Sequence, residues 1–507
     1  MKKMTVFLTV LLGLSLSLQA QTQPTKNLDE KIDSYNKKIK SIQIELQNLV
    51  TQTGKVWSAP VPFNVNERLI EYHNGILWTK SDEKELILRH KKTVDQSKKQ
   101  AKELSKKIGI NLESIRSKKI EGLFCADLPK GGMLHVHPWG TLDLETLKLI
   151  LVKQNPLIDL AQLKQLAEVG LDENADGQID STLPQISTLK FLNKISTSEK
   201  LEGNKIRYSQ LSEEDKILFH DLFFMKDKTA NFTEFMGVFS VIFNTVFKKD
   251  SFSDFKFKVD EAMWNALLLR AQKEKITYLE VTQTVNSKNG VDKYATLKKN
   301  LKDKYGIIVN SIAAFDRRLS PELIYAQVQD LLTMPANDSI VGVNLVANED
   351  LHPALQFKDA YSLLAERRKT THPQLHSTIH AGEKGDVYNV RNALVMGAQR
   401  IGHGVLLKDD LLSLEYVRLN KIPIEVNIIS NLILEVSSSI EAHPFLYYHR
   451  LGIPISLSTD DEGIFQSSLS KECELIVKNT DIYYSELKEM ILNSIRNSFA
   501  IESEKQQ

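Results

Sequence analysis

The chain has 507 residues, 42% hydrophobic and 25% charged, and its 65 basic side chains nearly balance 64 acidic ones, giving a formal net charge of +1. This length exceeds that of a typical single core, so a large domain with added segments is expected. The balanced charge argues against a nucleic-acid-binding protein and against a strongly anionic substrate, because the molecule as a whole has no field that would attract either.

The N-terminus has the pattern of a secretory signal peptide. Lys2 and Lys3 precede an apolar run from Met4 to about Leu18, and small residues end this region at Ala20. The run is shorter than the roughly 20 residues that cross a bilayer. We therefore expect the first 20 residues to be cleaved and the mature chain to be exported, periplasmic or secreted, without a membrane span. An N-terminal membrane anchor is the alternative.

Residues 21–110 are predicted to form a helical extension outside the main core. Lys, Glu, Gln and Leu recur with helical spacing over 29–49 and 82–106, and the prolines within 58–63 separate these two stretches. Such an apolar stripe has no evident place in a barrel core and is usually covered by a partner or by the rest of the chain. The extension therefore predicts a homodimer.

Further along the chain, short β-rich runs alternate with helical patterns. The amphipathic stretches include 262–273, 321–332, 359–368, 390–396 and 410–419. Eight strands alternating with helices favour a (β/α)8 TIM barrel over 111–505 rather than an open doubly wound sheet. The strands are predicted at 133–137, 276–282, 307–313, 340–346, 375–380, 400–403, 423–427 and 454–458.

An insertion is predicted after the first barrel strand, at 142–230, because about 140 residues separate the first two strands, far more than one βα unit needs. Within it, Asp172, Asn174 and Asp176 supply oxygen ligands at positions 1, 3 and 5 of a loop with glycine at position 6, as in a structural calcium site. Position 12 is Leu183, where a bidentate acid is expected. A solvent-exposed acidic turn is the alternative.

The two cysteines, Cys125 and Cys473, precede the first strand and follow the eighth. These strands adjoin in a closed barrel, but the two residues are then expected near opposite rims, about one strand length or roughly 17–20 Å apart. A disulfide needs Cα atoms within about 7 Å. We therefore predict two unpaired thiols.

Polar side chains gather at the C-terminal ends of the predicted strands, the rim where barrel active sites are assembled. They are His135 with His137, His380 with Glu383, His403 between two glycines, and Asp460 with Asp461. Histidines two residues apart on a strand share a face and can reach one metal ion. Three histidines and one aspartate suit zinc, with a position left open for water. Taken singly, the same residues also fit core histidines and a solvated turn.

The segments around these residues resemble the adenosine/AMP deaminase family of metal-dependent hydrolases, and most closely its secreted branch, the adenosine deaminase-related growth factors. The segments that carry the resemblance are 128–137, 380–383, 400–404, 422–431, 455–465 and 492–505. The resemblance runs from about Leu128 to Lys505, interrupted by the insertion. It implies hydrolytic deamination of adenosine or 2′-deoxyadenosine to inosine or deoxyinosine plus ammonia.

The resemblance also implies roles for the rim residues. Glu383 would give a proton to a purine ring nitrogen, and His403 would orient or deprotonate the water at the metal. The implied zinc ligands are His135, His137, His380 and Asp460. These roles agree with the chemistry expected from the residue types.

Substrate contacts are implied for Asp461 and Ala347, which would meet the purine, and for Phe232 on an aromatic helix that would line the site. Trp139 and Ala347 are among the positions that depart from the family pattern, as are Glu462 and Gly463 after the aspartate pair. Trp139 stands where relatives carry an aspartate used for the ribose, and Ala347 stands where a glycine presents its backbone amide. Deamination of another aminopurine is therefore an alternative, and so is a non-enzymatic secreted binding or signalling protein on a deaminase scaffold.

Overall fold

The computed structural model describes residues 27–53, 78–171, 181–184, 186–225, 232–247 and 259–506. The predicted signal peptide, the proline break at 58–63 and the predicted calcium ligands Asp172, Asn174 and Asp176 lie outside these residues. Across the ranges that are described, none of the helices combines the length and the apolar character needed to cross a membrane.

The core of the molecule is a parallel eight-stranded sheet in the order β1-β6-β7-β8-β9-β10-β11-β12. A parallel bridge between Val136 and Asp460 joins the last strand region to the first, so the sheet closes almost completely. The predicted (β/α)8 barrel is confirmed. The strands are β1 (Gly131–Val136), β2 (Leu157–Asp159), β3 (Glu168–Leu171), β4 (Ser181–Pro184), β5 (Lys205–Arg207), β6 (Ile276–Gln283), β7 (Ile308–Asp316), β8 (Ile340–Val346), β9 (His376–Ala381), β10 (Arg400–His403), β11 (Ile424–Val426) and β12 (Ile455–Leu457).

Helices surround this sheet and begin at recognisable caps. Asp143, Ser320 and Ser468 each accept a backbone N–H of the first helical turn, which satisfies a donor that has no partner within the helix. The helices are α1 (Leu28–Thr53), α2 (Lys80–Ile108), α3 (Leu112–Ser117), α4 (Glu121–Asp127), α5 (Leu144–Gln154), α6 (Leu160–Ala167), α7 (Ile186–Ile195), α8 (Glu213–His220), α9 (Phe232–Thr245), α10 (Val259–Lys273), α11 (Gly290–Tyr305), α12 (Pro321–Leu331), α13 (Lys358–Arg368), α14 (Asn389–Val395), α15 (Leu411–Asn420), α16 (Ile428–Ile433), α17 (Phe445–Arg450), α18 (Leu469–Asn479), α19 (Tyr484–Arg496) and α20 (Glu502–Lys505). Short 3-10 helices lie at Pro138–Gly140, Tyr208–Gln210, Asp221–Phe223, Ser287–Asn289, Ala354–Phe357 and Val405–Asp409.

The two N-terminal helices pack on the outside of the barrel. Tyr35, Ile39 and Ile42 of α1 are buried in the barrel's own apolar cluster, and the Tyr35 hydroxyl lies 3.0 Å from the Ser413 hydroxyl. His90 of α2 is likewise buried against the barrel. The apolar side chains that face the barrel are therefore covered by the rest of the chain, whereas Ile44, Ile87, Leu88 and Leu104 of the same helices are exposed. Dimerisation stays a prediction.

The segment between β1 and β6 builds a second apolar cluster of its own. Two antiparallel pairs, β2 with β5 and β3 with β4, accompany its helices. Its buried residues extend from Leu142 to Met263 and include Phe465 from the loop after β12. Helix α9 therefore packs at the rim of the barrel where the strands end.

The prediction of two unpaired thiols is wrong, because Cys125 and Cys473 form a disulfide with their Cα atoms 5.8 Å apart. The prediction placed the helix of Cys473 at the opposite rim from Cys125. Helix α18 instead lies beside α4, where the Ser470 hydroxyl donates to the Cys125 carbonyl at 3.4 Å. The Ser470 N–H meets Glu274, just before β6, so the loop after β12 has turned back toward the amino ends of the strands before α18 begins.

Candidate active site

Four side chains at the carboxyl ends of three strands converge on one point. His135, His137, His380 and Asp460 each offer a ligand atom, and these atoms lie within 4.8 Å of one another. The Nε2 atoms of His135 and His137 are 3.3 Å apart, and each is 3.5 Å and 3.3 Å, respectively, from Asp460 Oδ1. Ligands about 2.0–2.1 Å from a tetrahedral zinc ion are separated by roughly 3.3 Å. The donor set and its spacing therefore fit a zinc ion.

Hydrogen-bond partners outside the cluster fix the orientation of His135 and His380, the two most buried histidines among the four cluster residues. Glu425 lies 2.8 Å from Nδ1 of His135, and the Asn344 amide oxygen lies 2.9 Å from Nδ1 of His380. An Nδ1–H that donates to such a partner leaves Nε2 as the lone-pair nitrogen for a metal. Both contacts therefore aim Nε2 at the cluster.

Glu425 is itself held by Arg400, whose Nε donates to it at 2.6 Å. Burial acts to raise the pKa of Glu425, but the charge of Arg400 and the hydrogen bond from His135 lower this pKa to about 2. The carboxylate is therefore charged at neutral pH. A charged acceptor at Nδ1 increases the electron density that His135 can offer to a cation.

Three residues of this rim adopt left-handed backbone although none is glycine: φ is 78° at Ala347, 65° at His403 and 60° at Asp460. Such conformations carry a steric cost in residues with a Cβ and cluster at functional sites. The Ser430 hydroxyl donates to Oδ2 of Asp460 at 2.8 Å and helps to hold this residue in its left-handed conformation.

The charges of the ligand cluster follow from burial and from Asp460. Burial lowers the pKa of His137 and lowers that of His380 further. Burial acts in the same direction on His135, but Asp460 and Glu425 outweigh it and raise the pKa of His135 to about 10. A metal ion must displace that proton, so metal affinity is expected to weaken as the pH falls.

Glu383 follows β9 and is 5% exposed at the edge of the cluster. Its pKa is raised well above the usual range, first by burial and then by the negative charges of Asp460 and Glu349. The protonated form of this carboxyl is therefore favoured, and it can donate a proton. Its Oε1 lies 3.6 Å from Nε2 of His403.

A chain of hydrogen bonds assigns the tautomer of His403. The Phe445 N–H donates to Nδ1 of His443, so Nε2 of His443 carries the proton and faces the Asn431 amide oxygen at 3.1 Å. The amide nitrogen of Asn431 then donates to Nδ1 of His403 at 2.9 Å. Burial lowers the pKa of His403 to about 3, so the ring is neutral and presents an Nε2–H donor. Among the described residues this Nε2 has no hydrogen-bond partner.

Asp461 is a second buried carboxyl with a raised pKa. Burial is the largest cause, followed by the negative charges of Asp460 and Glu383. Its Oδ1 is buried and lacks a hydrogen-bond partner within the described part of the chain. An unpaired buried oxygen is costly unless a ligand or water satisfies it. This oxygen faces Gly140, and the carboxyl group as a whole lines the cavity, where a polar ligand can reach it.

A cavity of about 280 Å³ opens beside these groups. One wall is the aromatic face of α9, whose rings at Phe232, Phe235, Phe239 and Phe243 follow one another at 5.2–6.3 Å between centroids. Facing it, the wall contains Thr282, Gln283, Thr284, Ala347, Glu383, Asp460 and Asp461. A planar apolar ligand with polar edges fits such a site.

The structure thus brings together every residue that the sequence placed at the site. His135, His137, His380 and Asp460 form the cluster, His403 and Glu383 flank it, and Asp461, Ala347 and Phe232 line or adjoin the same cavity. Trp139 also lines it and packs on Phe243 at 5.9 Å and on Phe247 at 5.0 Å.

Sequence reasoning did not single out Glu425 or Glu349. Both are buried carboxylates whose partners come from other strands or loops. The available signal was Glu425 between Ile424 and Val426 in an apolar strand, because a charge in such a strand requires a partner. The sequence does not say which residue that partner is.

Comparison with known proteins gives one consistent family. Residues 203–507 match the family model described as adenosine deaminase. An adenosine deaminase of Clostridium botulinum (strain Okra / Type B1) is 33% identical over 162 residues, which are 32% of this chain and 47% of that protein. The chain thus aligns with about half the length of the curated relatives it first matches.

Two solved structures share the fold. The adenine deaminase of Arthrobacter aurescens superposes with a TM-score of 0.53 and 21% identity, covering 75% of this chain and 96% of that one. An amidohydrolase of Burkholderia ambifaria, solved with bound Zn, superposes with a TM-score of 0.51 and 18% identity, covering 76% and 89%. At these identities the likeness concerns the fold.

Proposed function

The chain belongs to the adenosine deaminase family, and from that premise we propose that it catalyses the zinc-dependent hydrolytic deamination of adenosine or 2′-deoxyadenosine. The products are inosine or deoxyinosine and ammonia. The observation that carries the proposal is the placement of a three-histidine, one-aspartate cluster beside two buried carboxyls of raised pKa in one cavity. Deamination needs a nucleophile and a proton donor at the same ring, and this arrangement supplies both.

The metal is proposed to be zinc, on the nitrogen and oxygen donors of the cluster and their spacing. When bound, zinc lowers the pKa of water so that a hydroxide-like nucleophile is present at neutral pH. The residues that would hold it are His135, His137, His380 and Asp460.

The proton steps are assigned to residues around the cluster. Glu383, whose raised pKa favours the protonated form, gives its proton to the purine ring nitrogen as attack at the amino-bearing carbon breaks the aromatic system. His403 is neutral and directs its Nε2–H toward the attacking water, which favours orientation of that water over its deprotonation. Asp461 lines the cavity and offers its carboxyl group to the purine edge.

The departure at Ala347 is compatible with this proposal. Its φ of 78° lies in the region that glycine adopts most easily. The backbone therefore follows the path that a glycine would take, and the amide can still face the purine. A contact between the backbone amide of residue 347 and the purine requires this left-handed conformation, and it does not require that the residue lack a side chain.

The second candidate is the same chemistry on another aminopurine. The observation that favours it is Trp139, which packs into the aromatic wall of the cavity, at the position where the family resemblance implies an aspartate for the ribose. A panel of adenosine, 2′-deoxyadenosine, adenine and AMP separates the two candidates by the ratio of kcat/KM values.

The test of the proposed function is an ultraviolet deamination assay on Glu383→Gln. Loss of the proton donor is expected to lower kcat by roughly 10²-fold or more, with the zinc content and thermal unfolding unchanged. The matched control is Glu103→Gln, the same change at an exposed position of α2, which is expected to keep full activity. Near-normal activity of Glu383→Gln would remove Glu383 from the mechanism.

We also propose that the chain is exported, and that it belongs to the secreted branch of the family. The support is the sequence pattern before Ala20. Fractionation of expressing cells, with mass measurement of the mature N-terminus, tests this. An intact N-terminus in the cytoplasmic fraction contradicts it.

A further inference from the structure

Glu349 lies in the loop after β8, beside the loop after β9 that carries Glu383. Its carboxylate is buried, with the residue 2% exposed. It accepts three consecutive backbone N–H groups, from Gly382 at 3.0 Å, Glu383 at 2.6 Å and Lys384 at 2.6 Å. A single side chain therefore fixes three successive peptide groups of the turn that presents Glu383.

This turn has little rigidity of its own. Gly382 begins it and Gly385 follows it, with φ of 77° and 75°, conformations that glycine reaches freely. A side chain at Gly382 cannot stiffen it, because a Cβ there would lie 2.7 Å from a methyl group of Val390. The order of the turn must come from outside it, and Glu349 is placed to provide that order.

Glu349 is itself held in place. The fully buried Arg317 faces it with an opposite charge and donates to the Leu345 carbonyl at 3.1 Å and to the His380 carbonyl at 2.7 Å. From the other side, the Asn389 amide donates to the Lys384 carbonyl at 3.2 Å. The turn is therefore clamped to the ends of β8 and β9. Glu349 is not among the described residues that line the cavity.

We propose that Glu349 is a positioning residue that holds the 382–384 turn so that the Glu383 carboxyl meets the purine ring nitrogen, without touching the substrate. This inference rests on the proposed role of Glu383 as the proton donor. It assigns to Glu349 an effect on catalysis that passes only through Glu383.

The test is a double-mutant cycle of Glu349→Gln and Glu383→Gln in the zinc-loaded, full-length protein. The amide keeps the shape of the side chain, but its NH2 group replaces one of the two carboxylate oxygens and cannot accept from the backbone N–H that faced that oxygen. When Glu383 is intact, Glu349→Gln is expected to lower kcat roughly 10- to 100-fold, because a displacement of the Glu383 carboxyl by about 1 Å is that costly. The KM for adenosine should change by less than about threefold, with the zinc content unchanged.

In the Glu383→Gln background, Glu349→Gln is expected to add less than about a twofold loss, because the group it positions is already gone. An equal loss in both backgrounds overturns the proposal, and so does loss of zinc together with activity. If the wild type deaminates none of the aminopurines, the proposed function itself fails. An active wild type with additive losses refutes only the role of Glu349.

The matched control is Glu472→Gln, which alters another buried glutamate that accepts two backbone N–H groups, those of Ile428 and Ile429. Glu472→Gln is expected to change kcat by the same factor whether residue 383 is Glu or Gln. A loss of kcat seen only when Glu383 is intact would overturn the assignment to Glu349 in particular. Asn389→Ala serves where Glu349→Gln does not fold, because it frees the same turn without altering a buried charge. The loss of kcat caused by Asn389→Ala must also appear only when Glu383 is intact, and not in the Glu383→Gln variant.

Discussion

Gly140 lies directly over the Asp461 carboxyl, and replacing it with alanine tests whether the position of that carboxyl matters. Gly140 ends the 3-10 helix Pro138–Gly140, and its φ lies outside the left-handed region that favours glycine. Alanine is therefore acceptable to the backbone. The added methyl group, however, would overlap the Asp461 side chain: the Oδ1 of Asp461 would be the nearest atom, and its Cβ would lie 2.5 Å away.

The expected loss follows from the displacement that this contact requires. Carbon atoms prefer separations of about 3.5 Å or more, so Asp461 must move by about 1 Å. A displacement of that size in a catalytic site costs roughly 10²-fold in rate. We expect kcat/KM for adenosine to fall by about this factor, with zinc retained, because the change acts on Asp461 and not on the ligand cluster.

The assay is steady-state ultraviolet deamination of adenosine, with zinc measured on the same sample. The matched control is Gly122→Ala in α4, where the new Cβ would meet only the mobile end of Glu474, at 3.1 Å. That variant should keep full activity. Wild-type activity of a folded Gly140→Ala protein would refute the reasoning, and loss of zinc would show that the clash acts through Asp460.

Three further predictions concern the metal, the disulfide and the pH profile. His380→Ala and Asp460→Ala should lose zinc and activity together, and a fully metallated but inactive Asp460→Ala protein would contradict the ligand assignment. Alkylation of the denatured, unreduced protein should add no label at Cys125 or Cys473, and reduction should lower the free energy of unfolding by about 2–4 kcal/mol in denaturant titrations; two added labels would contradict the bridge. Because burial and the charge of Asp460 raise the pKa of Glu383, the active protonated form is present below that raised pKa and is lost as pH rises through it. The kcat–pH profile should therefore fall on the alkaline side, and a flat alkaline limb would argue against a protonated Glu383 as donor.

The barrel could be predicted from the sequence because buried parallel strands appear as short apolar runs between helical patterns. The predicted runs at 340–346 and 400–403 coincide with β8 and β10. The run predicted at 307–313 ends before β7, which continues to Asp316. Ala314 and Phe315 continue the apolar pattern, and Ala314 and Asp316 line the cavity, so the predicted run stopped short of the end of the strand.

The ligand cluster was predictable because its members sit at strand ends, where the fold brings them together. The partners that orient those members were not, because the pairing of Glu425 with His135 or of Glu349 with the 382–384 turn depends on side chains from different strands and loops. The disulfide was missed for a related reason. Strand order gives the angular position of a residue around the barrel. The position of Cys473 along the barrel axis depends instead on the path of the loop before α18.

The most direct test of the central claim is deamination of adenosine by the purified full-length protein, with zinc content measured on the same sample before and after chelation. We predict turnover that is lost when zinc is removed and restored when stoichiometric zinc is returned. Zinc-replete, folded protein that turns over neither adenosine nor any other aminopurine of the panel would contradict the account.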